Sequence, residues 1–299
     1  MIIPREIRDC VAFVYYELSS GEKIPAGTAF FVQDPEPTMD PPITHKYCIT
    51  ARHVIEKIFE LGHGGAVWLR LNNQNGDARW VKTPLTAWLG HPNETETMWS
   101  AHRDSPRVDV SVCLWDFSSF GDCSAMAIYS DRLADSAIIA DHGISAGDEI
   151  FATGLFANHI GKQKNIPIIR CGNIAAMPEE PVETRLGPMD ALLIEARSIG
   201  GLSGSPVFVS LGAHRLNSQG EYFLGQWNIY LVGLIHGHWD AAGGDASPSS
   251  ESGGSSINQG IAVVAPAAQI LETMHREEFM GARKSRVELI KAYQAAGGS

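Results

Sequence analysis

The sequence predicts an all-β protein, and three observations support this. Strand-sized runs of apolar or alternating residues recur between turn-rich stretches along most of the chain. Convincing helical periodicity is confined to the C-terminal region. The composition, 44% hydrophobic and 19% charged over 299 residues, is that of a globular protein with a sizeable core. Together these features favour barrels or a sandwich and exclude a chain that is disordered throughout.

The predicted strands follow one another at short intervals, with turn residues between them. They are VAFVYY from Val11, GTAFFV from Gly27, AVWLRL from Ala66, VDVSVCLW from Val108, EIFATGLF from Glu149, PIIRCGNIAA from Pro167, ALLIEA from Ala191, SPVFVS from Ser205, NIYLVGLI from Asn228 and GIAVVA from Gly260.

A helix is predicted from Pro266, where PAAQILETMHREEF places proline near the start and apolar residues at helical spacing. The stretch from Arg283 could add a second amphipathic helix or serve as a partner-binding tail. Exposed loops are predicted for QDPEPTMDPP from Gln33 and for the Gly/Ser-rich stretch from Ala241, which could also cover a substrate cleft.

Charge and cysteine content exclude several classes of function. The net charge of -11 argues against nucleic acid as a partner, because phosphate binding needs clustered Lys and Arg. We expect no membrane span, no secretory signal and a cytoplasmic location. The five cysteines are widely spaced without a CxxC pair, so we expect reduced, mostly buried thiols and neither a metal nor a cofactor.

The strongest chemical signal is the segment Gly200-Gly201-Leu202-Ser203-Gly204-Ser205-Pro206. Glycines allow a tight turn and a close approach of substrate, and successive backbone N–H groups can stabilise an oxyanion. Ser203 is therefore a candidate nucleophile, with the N–H groups of Gly201 and Ser203 as the oxyanion hole. Taken alone, the segment also fits a surface turn.

Two further residues complete a candidate triad. His53, in TARHV, follows the apolar run YCIT and lies just past a predicted strand end, where a histidine can be oriented by its neighbours. Asp109 is flanked by Val108 and Val110, and a carboxylate in a buried strand needs a partner such as an imidazole N–H.

The motifs GTAFFV, TARHV, VDVSV and GGLSGSP, in that order, resemble the trypsin-like (chymotrypsin-fold) serine peptidases. The resemblance covers about residues 10 to 275 and implies two six-stranded antiparallel β-barrels with a C-terminal helix. It implies residues 1–125 as the barrel that carries His53 and Asp109, residues 126–275 as the barrel that carries Ser203, and residues 276–299 as a helical tail. Bacterial intracellular and HtrA-like domains are the nearest in kind, because the position before Ser203 is Leu202 and no IVGG-like segment supports zymogen activation.

The implied activity is endopeptidase chemistry on a protein or peptide, through an acyl-enzyme. Arg197, His236 and Gly237 are expected near the specificity pocket, where Arg197 and His236 would favour an acidic side chain before the scissile bond. Alternatively, Arg197 is a solvated loop residue and His236 a residue at a strand end. A peptide-binding module on the same fold and a peptidase that needs an activating partner are the rival hypotheses. A lipase-type hydrolase is disfavoured by the order His, Asp, Ser.

Overall fold

The structure is a computed structural model that describes residues 3–63, 65–85, 99–101, 107–115, 123, 125–184, 187–196, 201–212, 220, 228–240, 246–247 and 258–296. Its strands are β1 (Val11–Glu17), β2 (Lys23–Glu36), β3 (Ile43–Thr50), β4 (Ala66–Asn72), β5 (Ala78–Pro84), β6 (Ser100–Ala101), β7 (Ser111–Trp115), β8 (Ile128–Tyr129), β9 (Glu149–Gly154), β10 (Ile168–Ala176), β11 (Val182–Thr184), β12 (Gly187–Met189), β13 (Leu192–Glu195), β14 (Pro206–Ser210), β15 (Ile229–Asp240), β16 (Ala246–Ser247) and β17 (Asn258–Pro266). Its α-helices are α1 (Arg5–Arg8), α2 (Arg52–Leu61), α3 (Ser136–His142), α4 (Ala267–Met274) and α5 (Glu277–Ala295).

The first sheet has the strand order β5-β4-β1-β2-β3-β7-β6, and β8 pairs with β2. Its strands pair antiparallel, except that β8 runs parallel to β2. The apolar run of β1 is buried from Val11 to Tyr16, because it lies inside the sheet between β2 and β4. His53 lies just after β3 of this sheet, and Asp109 lies just before β7.

The second sheet is a closed barrel of six strands, β14-β9-β10-β13-β17-β15, in which β15 returns to pair with β14. Closure leaves none of these six strands as a free edge, which is how barrels satisfy their backbone hydrogen bonds. The predicted all-β class with helix at the C-terminal end is therefore confirmed. Of the two predicted barrels, the second sheet is a closed six-stranded barrel, whereas the first sheet has eight strands and no closing strand pair among the described residues. The boundary predicted near residue 125 stays a prediction.

The C-terminal segment folds as the two helices α4 and α5. Pro266 stands at the N-cap of α4, whose residues Ile270 and Met274 are fully buried. Helix α5 buries Phe279 and Arg283, and the Arg283 guanidinium pairs with Asp34 of β2 at 2.5 Å. Within the described residues, no helix is both long and apolar enough to cross a membrane.

The structure corrects the expectation that helices are confined to the C-terminal region. Helix α2 begins at Arg52, and its residues Val54, Ile55 and Ile58 are buried against the first sheet. Helix α3 begins after Asp135, whose side chain accepts a hydrogen bond from the Ile138 N–H in an N-cap.

The loop predicted from Gln33 is only partly a loop, because β2 continues through Glu36 and pairs there with β3. Of the stretch from Ala241, residues 241–245 and 248–257 lie outside the described residues, and Ala246–Ser247 form β16. The cysteines form no disulfide with one another; Cys10, Cys48 and Cys113 are buried, as expected, whereas Cys171 is exposed.

Candidate active site

Ser203 lies in a tight turn immediately before β14. Gly201 and Gly204 have φ angles of 99° and 81°, in the left-handed region that favours glycine. The turn is closed by a hydrogen bond from the Ser205 N–H to the Leu202 carbonyl at 2.8 Å. A Cβ on Gly204 would collide with the Thr28 carbonyl oxygen, so the sequence around Ser203 is dictated by backbone geometry.

Two backbone N–H groups of this turn are candidate donors to an oxyanion. Among the described residues, neither the Gly201 N–H nor the Ser203 N–H has a hydrogen-bond acceptor. The carbonyl of Gly201 is held by the Thr28 hydroxyl at 2.9 Å, and that hydroxyl also accepts from the Leu155 N–H at 2.9 Å. Gly200, which shares a peptide unit with the Gly201 N–H, lies outside the described residues.

His53 occupies the first turn of α2, directly after β3. Its backbone N–H donates to Asp109 Oδ1 at 2.9 Å, and its Nδ1 lies 2.7 Å from Asp109 Oδ2. The His53 side chain is 17% exposed, whereas that of Asp109 is fully buried. Because an ionised carboxylate only accepts hydrogen bonds, His53 Nδ1 carries the proton and Nε2 has a free lone pair.

The buried carboxylate controls the protonation of His53. Burial by itself lowers the pKa of His53, but the nearby Asp109 charge outweighs it and raises that pKa above its ordinary value. Burial likewise raises the pKa of Asp109, yet His53 and His236 together hold it well below its usual range. Asp109 is therefore ionised at neutral pH, and His53 can act as a base.

His236, on β15, is a second partner of the same carboxylate. Its Nδ1 lies 2.5 Å from Asp109 Oδ2, and its side chain is 1% exposed. Its ring meets the His53 ring edge to face, with centroids 5.4 Å apart. The sequence points to His236 only as a pocket residue, since no local pattern reveals a contact with a residue 127 positions away.

The hydroxyl of Ser203 donates to the backbone carbonyl of His236 at 3.4 Å. Among the described residues this is the hydrogen bond that the hydroxyl makes, and none joins it to His53. His236 nevertheless links the two parts of the site, since its carbonyl accepts from the Ser203 hydroxyl and its ring shares the Asp109 carboxylate with His53. The three candidate catalytic residues thus belong to one contiguous site.

Of the predicted pocket residues, Arg197 lies outside the described residues. Gly237 lies on β15 opposite Val263 of β17, and these two strands pair antiparallel. The assignment of Arg197, His236 and Gly237 to substrate recognition stays a prediction.

His53, Asp109 and His236 also form the one group of metal-ligand side chains found in the described part of the chain, with ligand atoms within 4.8 Å of one another. The Nδ1 atoms and Oδ2 are already joined by hydrogen bonds of 2.7 and 2.5 Å. Protons between imidazole and carboxylate account for this arrangement without an ion.

The chain was compared with protein families, curated proteins and solved structures. No protein-family model and no curated protein matches the sequence. Among solved structures, the chain is similar to the MamO protease domain of Magnetospirillum magneticum in its apo form, with 14% identity, a TM-score of 0.49, and 91% of this chain and 99% of that chain covered.

Proposed function

We propose that the protein is a serine endopeptidase in which Ser203 is the nucleophile, His53 the general base and Asp109 the group that orients His53. The observation that carries the proposal is the hydrogen bond between Nδ1 of the partly exposed His53 and the fully buried carboxylate of Asp109. This pairing costs desolvation energy and directs the basic nitrogen, Nε2, away from the carboxylate.

The reaction follows from these roles. Ser203 Oγ attacks the scissile carbonyl carbon while its proton passes to His53 Nε2, and the N–H groups of Gly201 and Ser203 donate to the resulting oxyanion. Collapse of the tetrahedral intermediate breaks the C–N bond, and His53 returns the proton to the leaving amine. Water then repeats the sequence on the acyl-enzyme and releases Ser203.

A peptidase that requires an activating partner is the second candidate. The supporting observation is the 3.4 Å hydrogen bond from Ser203 Oγ to the His236 carbonyl, which directs the hydroxyl proton away from His53. Rotation of the Ser203 side chain would be needed before catalysis. The hydrogen bond between a catalytic serine and its histidine often forms fully only when substrate binds. The contact of Ser203 with the His236 carbonyl therefore also fits an enzyme that is activated by its substrate.

Incubation with a denatured protein substrate, followed by mass spectrometry of the fragments, tests the proposal. We expect new termini with the wild type and none with Ser203→Ala. Fragments produced equally by both would refute the assignment of Ser203, and uncut substrate would favour a binding module or the partner-dependent state.

The same digest reports on specificity. We propose that Arg197 favours an acidic side chain before the scissile bond. Cleavage after acidic residues that is lost in Arg197→Met, with overall labelling of Ser203 retained, is the expected result. Cleavage after apolar or basic residues would contradict it.

A further inference from the structure

His236 is held in place by the same backbone that shapes the nucleophile turn. The Gly204 N–H donates to the Ile235 carbonyl at 2.8 Å, and the Ile235 N–H donates to the Ser205 carbonyl at 2.9 Å. The residue that follows Ile235 therefore has a fixed position relative to Ser203. Its ring is buried and faces Asp109.

The hydrogen bonds determine which protonation state His236 adopts. A carboxylate accepts only, so the 2.5 Å contact requires a proton on His236 Nδ1. Its other ring nitrogen, Nε2, is buried and has no hydrogen-bond partner among the described residues. A charged imidazole would bury an unpaired N–H there, so the neutral Nδ1–H form is the one that fits.

Resting on the proposed function, we infer that His236 is a positioning residue: a neutral imidazole that donates to Asp109 Oδ2, fixes the plane of the carboxylate and shares its charge with His53. Oδ2 then receives two imidazole N–H groups, while Oδ1 receives the His53 backbone N–H. Three donors leave the carboxylate little freedom to rotate, which holds the His53 ring, bonded to Oδ2 through Nδ1, in one orientation.

Because His236 and His53 share Asp109 Oδ2, His236 also limits how far Asp109 raises the pKa of His53. The dipole of His236 points its positive end at Asp109 and so weakens the attraction between that carboxylate and protonated His53. The other charged groups that act on His53 are Glu56 and Lys57, from its own helix. Since these two have opposite signs, Asp109 is the charged group that dominates the pKa of His53.

This role differs from recognition of a substrate side chain. A residue that recognises substrate needs a free polar atom at an accessible surface, whereas His236 is 1% exposed and its Nδ1 is occupied by Asp109. Its replacement should consequently affect every substrate alike, through His53.

Histidine titration by NMR in protein labelled with ¹⁵N-histidine tests the inference, with rates of fluorophosphonate labelling measured in parallel. His236→Leu removes the donor. His236→Asn keeps a donor where Nδ1 stands, and His142→Asn replaces another buried histidine. We expect His236→Leu to raise the titration midpoint of His53 by about half a pH unit or more and to slow labelling about tenfold. The Asn variants should stay within about twofold of wild type.

Several results would overturn the inference. These are an unchanged His53 midpoint in folded His236→Leu, equal impairment of His236→Asn and His236→Leu, or a wild-type His236 whose proton lies on Nε2. The last is read in wild type and needs no variant to fold. If wild type fails to label but His53 titrates as expected, the proposed function fails and the inference about His236 stands.

Discussion

The backbone N–H of Thr28 donates to the carbonyl oxygen of Ser203 at 2.9 Å, joining β2 of the first sheet to the nucleophile turn before β14. The same threonine bonds the Gly201 carbonyl through its hydroxyl, and its own carbonyl accepts from the Thr50 hydroxyl at 2.6 Å. One buried residue thus connects the turn that carries Ser203 to the strand end that precedes His53.

Thr28→Val should slow fluorophosphonate labelling by about tenfold to a hundredfold, because the Gly201 carbonyl and the Leu155 N–H would both lose their buried partner. Thr28→Ser retains the hydroxyl and is the matched control. Equal labelling rates for Thr28→Val and wild type would mean that the turn keeps its shape without this hydroxyl.

Gly204→Ala should lower the free energy of unfolding by about 2–4 kcal/mol, since the new Cβ combines a left-handed φ with a collision against the Thr28 carbonyl. Urea unfolding measures the loss. Gly212→Ala is the control, because a Cβ at Gly212 meets nothing within 4 Å. Similar unfolding midpoints for the two variants would contradict the geometry of the turn.

The labelling rate should rise with pH through a midpoint above about 6.5, the ordinary pKa of histidine. Only neutral His53 can accept the Ser203 proton, and Asp109 raises the pKa of His53 above that value. Because the pKa of His53 is higher in the folded than in the unfolded protein, the Asp109–His53 attraction stabilises the fold fully at pH values below the unfolded pKa of His53. This stabilisation is lost as the pH rises through the folded pKa of His53. Asp109→Asn should lower the midpoint, and a midpoint below 6 in wild type would contradict the assignment.

Arg283→Met should lower the free energy of unfolding by about 2–3 kcal/mol, because Asp34 would lose a largely buried charged partner. Arg286→Met is the control on the same helix, since Arg286 is exposed and bonds only weakly to the Thr44 carbonyl at 3.3 Å. We expect it to change stability by less than about 0.5 kcal/mol. Thermal unfolding of both variants compares them, and equal losses would show that Arg283 does not anchor α5.

The all-β fold could be predicted, and His53, Asp109 and Ser203 could be singled out as candidates, because their signals are local. The strand-sized runs define the sheets, and the small residues around Ser203 follow from a turn that admits no Cβ at Gly204. The sequence does not predict helix α2, although Val54, Ile55 and Ile58 have helical spacing, because the apolar run is short and directly follows a strand. The contact between His236 and Asp109 depends on how the two sheets pack together, and no pattern within either segment encodes that packing.

Labelling of the purified protein with a fluorophosphonate serine-hydrolase probe tests the central claim most directly. The account predicts that wild type is labelled at Ser203, that Ser203→Ala is not labelled at all, and that His53→Ala is labelled at least about a hundredfold more slowly. Folded wild-type protein that fails to react, or that reacts as fast without His53, would contradict an assembled nucleophile and base.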